Sequence, residues 1–170
     1  MPATYEPIAT NTLTSKAASI TFSSISSAYT DIRVVLLANT DNSGGEENSY
    51  MRFNSDSATN YSNTWIQGNG SSGSSSRNSN ATAIWSRWSE WGLPDTVWTL
   101  TTWDIFNYSG STFKTVLATG SSAASGSGYV TRGVGLWRST SAITSITLPA
   151  QSPALFEIGT TATLYGILRA

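Results

Sequence analysis

The chain has 170 residues, of which only 11% are charged, and its formal net charge is −1. It contains neither cysteine nor histidine, which excludes disulfides, thiolate metal sites and the commonest general base. Its nine Lys and Arg residues form no basic stripe and no apolar run approaches the roughly 20 residues of a membrane span, so we expect neither a nucleic-acid nor a membrane partner. A surface with so little charge repels its neighbours weakly and is typical of proteins that associate into assemblies. A soluble protein whose surface is hydrated by hydroxyl and amide groups has the same composition, so both interpretations stay open.

Short β-branched and aromatic runs, separated by Ser, Gly and Asn, recur along the whole chain and predict an all-β protein. In chain order the predicted strands are Thr4–Leu13, Ala18–Phe22, Ile32–Ala38, Ser49–Phe53, Thr82–Arg87, Thr96–Asn107, Thr112–Thr119, Tyr129–Arg138, Ile143–Leu148 and Ala162–Leu168. About ten short strands in a chain of this length predict one domain over residues 1–170, a two-sheet antiparallel sandwich of jelly-roll-like topology with an N-terminal extended strand.

Two segments have the composition of flexible loops: GNGSSGSSSRNSN at residues 68–80 and GSSAASGSG at residues 120–128. Because they offer almost nothing to bury, we expect both to be exposed and to be ordered only by contacts with other chains. The letters GNGSSG match a dinucleotide-binding fingerprint, but that motif needs a helix after it, and serines and asparagines follow here. We therefore interpret this segment as a loop.

The segment NSDSATN, Asn54–Asn60, carries side-chain oxygens at spacings that a calcium loop would use. A single carboxylate is little charge for a divalent cation, so Asx turns are the favoured interpretation. The ten acidic residues offer several pairs for acid–base chemistry, but the sequence selects none of them. We expect no catalytic residues, no metal, no cofactor and no small-molecule ligand, and hence no enzyme.

The predicted strand over Val97–Phe106 has apolar residues on both of its faces. One face carries Trp103 and Ile105 among threonines, and the other carries Trp98, Leu100 and Phe106. Such a strand is typical of a sandwich that also contacts a neighbouring subunit, although a strand covered by the loops of its own chain has the same pattern.

The stretch AIWSRWSEWGLPDTVW concentrates four tryptophans in a chain otherwise rich in small polar residues. A strand places Trp85 and Trp88 on opposite faces, whereas a helical turn places Trp85, Trp88 and Trp91 on one side. Trp and Arg are enriched where proteins contact one another, so Trp88, Trp91 and Arg87 are predicted to bind a partner chain. Trp85 and Trp98 are predicted to face the interior.

An alternative interpretation of the same stretch is a row of rings that stacks on a sugar. That interpretation assigns Trp85, Trp88 and Trp91 to glycan binding instead of to subunit contact. A third interpretation is that these tryptophans are core residues of the sandwich. Composition and spacing leave all three interpretations open.

At several points the chain resembles a recurrent family of tailed-bacteriophage virion proteins. The segments that carry the resemblance occur in order over most of the chain: YEPIAT (Tyr5–Thr10), SITFSSISSAYTDIRVVL (Ser19–Leu36), RFNSDSATNYS (Arg52–Ser62), FNYSGSTFKT (Phe106–Thr115), GLWRSTSAITSITL (Gly135–Leu148) and GTTATLYGI (Gly159–Ile167). The chain departs from the family pattern between Trp85 and Trp91, where relatives are usually less aromatic. This local difference implies a contact specific to one particle.

The resemblance implies a β-sandwich structural protein of the phage particle without catalytic residues. We expect a decoration (cement) protein on the outer surface of the head, which binds and stabilises the shell of major capsid protein and associates with its own copies as a dimer or trimer. The alternative is a tail or fibre module that binds a receptor glycan. In both cases the protein would be made in the host bacterial cytoplasm and found in the virion.

Overall fold

A computed structural model of the chain describes residues 5–42, 47–89, 97–124 and 127–168. Its strands, numbered in chain order, are β1 (Tyr5–Thr12), β2 (Ser19–Phe22), β3 (Asp31–Ala38), β4 (Glu47–Phe53), β5 (Tyr61–Gly68), β6 (Gly73–Ala81), β7 (Ile84–Ser89), β8 (Thr99–Ile105), β9 (Lys114–Ala124), β10 (Ser127–Trp137), β11 (Ile146–Pro149) and β12 (Thr161–Ile167). The described part of the chain has no helix, which confirms the all-β prediction.

The strands form two antiparallel sheets of unequal width. The larger has eight strands in the order β1-β12-β3-β8-β9-β10-β5-β6, and the smaller has four in the order β2-β11-β4-β7. This arrangement confirms the predicted two-sheet sandwich. The finer prediction of jelly-roll topology is not confirmed by the strand order and stays a prediction.

The core lies between the two sheets and follows from strict alternation along the strands. On β3 every second residue is buried, and β12 repeats the pattern. The smaller sheet covers this inner face with Ile20, Met51 and Phe53. The larger sheet contributes Trp103, which has no exposed surface. One face of each central strand of the larger sheet is therefore fully used by the core.

Strand β7 lies unusually close to the inner face of the larger sheet. A Cβ atom on Gly120 of β9 would overlap Oγ of Ser86 and lie 2.8 Å from the carbonyl oxygen of Arg87, while one on Gly135 of β10 would overlap the Ile84 side chain. Glycine at both positions provides the space that β7 occupies.

The prediction of loops at residues 68–80 and 120–128 is wrong, because most of both segments is strand. Residues 73–81 form β6, which pairs with β5, and residues 120–124 and 127–128 extend the hairpin of β9 and β10. The β5–β6 turn is built by Asn69, whose Oδ1 accepts hydrogen bonds from the amides of Ser71 and Ser72, and by Gly70 at a φ of 88°. Pairing within the chain orders these polar segments, and the side chains at 73–80 are exposed as expected.

Candidate functional site

The outer face of the eight-stranded sheet carries a row of exposed apolar side chains. Alternate residues of each central strand point away from the core, and several of these outward-facing residues are large and apolar. Five members of this set, which we call the outer apolar face, are between 43% and 62% exposed: Leu37, Ile66, Leu100, Val130 and Val134. Large exposed apolar patches on a soluble protein mark surfaces that bind other proteins.

Strand register places these residues side by side across the sheet. Leu37 of β3 lies opposite Leu100 of β8, and Ser121 of β9 lies between Leu100 and Val130 of β10. One strand further, Ile66 of β5 lies opposite Arg132. The apolar groups therefore lie near one another across the sheet, with small hydroxyl side chains and Arg132 between them.

The charges on this face are few. Arg33 and Asp104 form a bidentate pair, with Nη2 of the arginine 2.9 Å from Oδ2 of the carboxylate. Hydrogen bonding to Asp104 raises the pKa of Arg33, and the two opposite charges of this ion pair offset each other. Arg132 is exposed on the same face, and so is Arg77 of β6, which lies opposite Thr64 in the register. No carboxylate of the described residues pairs with either arginine. Docking over the whole face would bury two uncompensated positive charges unless the partner supplies carboxylates.

The size of the outer face matches that of a protein–protein interface. Seven spacings of about 4.8 Å between eight strands give a width of about 34 Å, and strands of about seven residues give a height of about 23 Å. The product is close to the roughly 800 Å² that a standard interface buries on each partner.

Trp85 lies on β7, so the tryptophan stretch is a strand, and not a helical turn, as far as residue 89. The residues before and after it, Ile84 and Ser86, are buried, whereas Trp85 is half-buried and points to the other face of the small sheet. The predicted core position of Trp85 is therefore wrong. Its ring packs on Trp65 of β5, with ring centroids 4.1 Å apart and planes inclined by 59°.

Trp98 is 40% exposed, so its prediction as an interior residue is also wrong. It has the same strand parity as Leu100 and lies on the outer side of the larger sheet, with its ring against Gly159. The interior tryptophan of this strand is Trp103. The sequence shows that both faces of β8 are apolar, but only the face that contains Trp103 is covered by the smaller sheet.

The three residues predicted to bind a partner are only partly described. Arg87 is half-buried, donates a hydrogen bond to the hydroxyl of Tyr129 at 3.4 Å and stacks above its ring. The side chain of Trp88 and the whole of Trp91 lie outside the described residues. Their assignment to a subunit contact, and to the alternative sugar contact, stays a prediction.

The segment NSDSATN is a structural connector between β4 and β5. Oδ1 of Asp56 accepts from the amide of Ala58, which confirms the Asx turn, and Oδ2 accepts from Nε1 of Trp137 at 2.7 Å and from Nδ2 of Asn60. Burial raises the pKa of Asp56, but the hydrogen bonds from Trp137, Asn60 and Ala58 together lower it below its usual value. The side chain of Asn54 accepts from the amides of residues 144 and 145.

Comparisons of the chain with protein-family models, with curated proteins and with solved structures find no match. Within the described ranges, no helix is long and apolar enough to cross a membrane. In that same part of the chain, no three acidic, His or Cys side chains are grouped so as to hold a metal ion.

Proposed function

We propose that this protein is a structural component of a tailed-phage particle, a decoration protein that binds the major capsid protein of the head shell through its outer apolar face and associates with its own copies. The observation that supports this proposal most strongly is the set of exposed Leu, Ile and Val side chains across the larger sheet. The sequence resemblance supports the choice of assembly.

The composition of the outer apolar face favours a protein partner of matching shape with a carboxylate. Apolar groups half-exposed in the free protein gain free energy when a partner covers them, at about 25 cal/mol for each Å² removed from water. Arg132 stands among them and requires an acidic group across the interface. We therefore propose a capsid surface that presents an apolar patch with at least one Asp or Glu.

A binding assay with paired variants tests this proposal. Labelled protein is sedimented with head shells assembled from the major capsid protein alone, and the parent is compared with Leu100→Lys and Arg132→Glu. Because each variant places a mismatched charge in the interface, we expect at least a tenfold loss of affinity, about 1.4 kcal/mol.

The matched control is Thr140→Lys, which adds the same charge at an exposed position in the β10–β11 connection. It should bind as the parent does. Parental binding by Leu100→Lys and Arg132→Glu, or an equal loss in Thr140→Lys, contradicts docking through the outer apolar face.

The predicted alternative, a receptor-binding module of the tail or fibre, differs from decoration in copy number and position. Decoration requires copies over the whole head, whereas a tail module requires a few copies at the tail. Immunogold labelling of intact particles separates the two.

A further inference from the structure

We infer a binding site for a neutral saccharide in the cleft beside the Trp65–Trp85 pair. The cleft has a volume of about 430 Å³ and lies where β7 at the edge of the smaller sheet meets β5 and β6 of the larger one. This volume is within the usual range of small-ligand sites. We call it the tryptophan cleft, and its lining includes Asn48, Tyr50, Trp65, Asn78, Asn80 and Trp85.

Three aromatic rings form the apolar part of the tryptophan cleft. Trp65 and Trp85 are in contact, and Tyr50 of β4 lies directly opposite Trp85 in the strand register. A pyranose ring presents C–H groups on its faces, and these pack on the electron-rich face of an indole or phenol ring. Half-buried aromatic rings on a cleft wall are therefore suited to a sugar.

Amide groups form the polar part of the cleft. Asn48 donates its Nδ2 to Gln151 at 2.9 Å, which fixes the side chain, while its buried Oδ1 accepts no hydrogen bond from any residue that the structure describes. Asn78 and Asn80 of β6 line the other side, with Oδ1 of Asn78 held by the amide of Asn80.

The charge of the lining favours a neutral ligand. The described residues of the lining include no Asp or Glu, and Arg87, the one cation among them, is engaged with the hydroxyl and ring of Tyr129. Neutral hydroxyls match amide donors and acceptors without the desolvation that a charged ligand would require. The chemical class is therefore an uncharged oligosaccharide.

Asn63 makes the aromatic wall rigid before any ligand arrives. This side chain is buried on β5, donates Nδ2 to the carbonyl of Ala83 at 3.0 Å and accepts the amide of Trp85 at 3.3 Å. It thereby fixes the backbone on both sides of Ile84 relative to Trp65. A preformed site loses less conformational entropy when it binds.

The tryptophan cleft is separate from the outer apolar face. Trp65 and Ile66 are consecutive residues of β5, so their side chains leave opposite faces of the sheet. The proposed saccharide site does not depend on docking to a capsid, and each proposal fails or holds independently of the other.

Titration with neutral oligosaccharides tests the inference. The probes are maltohexaose, cellohexaose and hexa-N-acetylchitohexaose, which are all uncharged, and binding is measured by isothermal calorimetry and by tryptophan fluorescence. We expect at least one to bind the parent, and Trp85→Ala and Asn80→Ala to weaken that binding at least tenfold. Asn80 is exposed, so its variant should fold as the parent does even if Trp85→Ala does not.

The control is Trp98→Ala, which removes an exposed tryptophan from the opposite side of the larger sheet. It should bind the sugar with the affinity of the parent. Failure of all three probes to bind the parent overturns the inference. So does binding that survives Asn80→Ala and Trp85→Ala, or that is lost in Trp98→Ala.

Discussion

Two consecutive leucines on β3 allow the packed face and the outer face of the larger sheet to be compared directly. Leu36 has no exposed surface, whereas Leu37 is 44% exposed. Replacing a fully buried Leu by Ala costs about 3–5 kcal/mol, because it removes buried carbon and leaves a cavity. Full burial of a Leu side chain contributes about 1.5–3 kcal/mol, so truncation of the half-exposed Leu37 should cost about 1 kcal/mol or less.

Thermal unfolding of the two alanine variants measures this difference. At about 2–4 °C for each kcal/mol in a domain of this size, Leu36→Ala should lower Tm by about 6–20 °C and Leu37→Ala by at most about 4 °C. Equal losses in the two variants would mean that the chain itself covers the outer face. In that case the outer apolar face would be core, and its proposed role in docking would be refuted.

Two further predictions concern packing and pH. Gly120→Ala forces a methyl group into Ser86 and should lower the free energy of unfolding in urea by about 1–3 kcal/mol. In the control Gly73→Ala the new Cβ would lie 3.6 Å from its nearest neighbour, so the change should be less than about 1 kcal/mol. Equal effects of the two substitutions would contradict the close approach of β7. Asp56→Asn replaces one of two accepting oxygens by an amide nitrogen, which in either orientation faces a donor, the Ala58 amide or Nε1 of Trp137, and should cost about 2 kcal/mol at pH 7. Because the folded-state pKa of Asp56 is lowered, its ionised form stabilises the fold above about pH 4, and this contribution is lost as the pH falls through the folded pKa. The unfolding free energies of the parent and Asp56→Asn should therefore converge at acid pH. A difference between them that stays constant with pH would contradict this prediction.

The alternation of apolar residues was sufficient to predict most of the sandwich. On β3 and β12 every second residue is buried, and the predicted strands there differ from the observed ones by one residue at either end. Strand β6 escaped prediction because no apolar residue precedes Ala81, so its pattern contains no period of two. It is held by backbone pairing with β5, which depends on a partner strand that local composition does not indicate.

The candidate sites were less predictable than the fold. The strand containing Leu100 and Trp103 is apolar on both faces, and only the position of the smaller sheet shows that Trp103 is covered and Leu100 is open. The pairing of Trp85 with Trp65 joins residues twenty positions apart through β5, a strand absent from the sequence prediction. The sequence indicated that the tryptophans make contacts, but which residues they contact depends on how the strands are arranged in the fold.

A reconstruction of the phage particle at side-chain resolution would show directly which surface of the protein docks on the head. We expect ordered copies over the head shell, with Leu37, Leu100 and Val130 buried against the major capsid protein and a capsid carboxylate beside Arg132. Copies that expose this face to solvent and dock through another surface, or a head shell without this chain, would contradict this prediction.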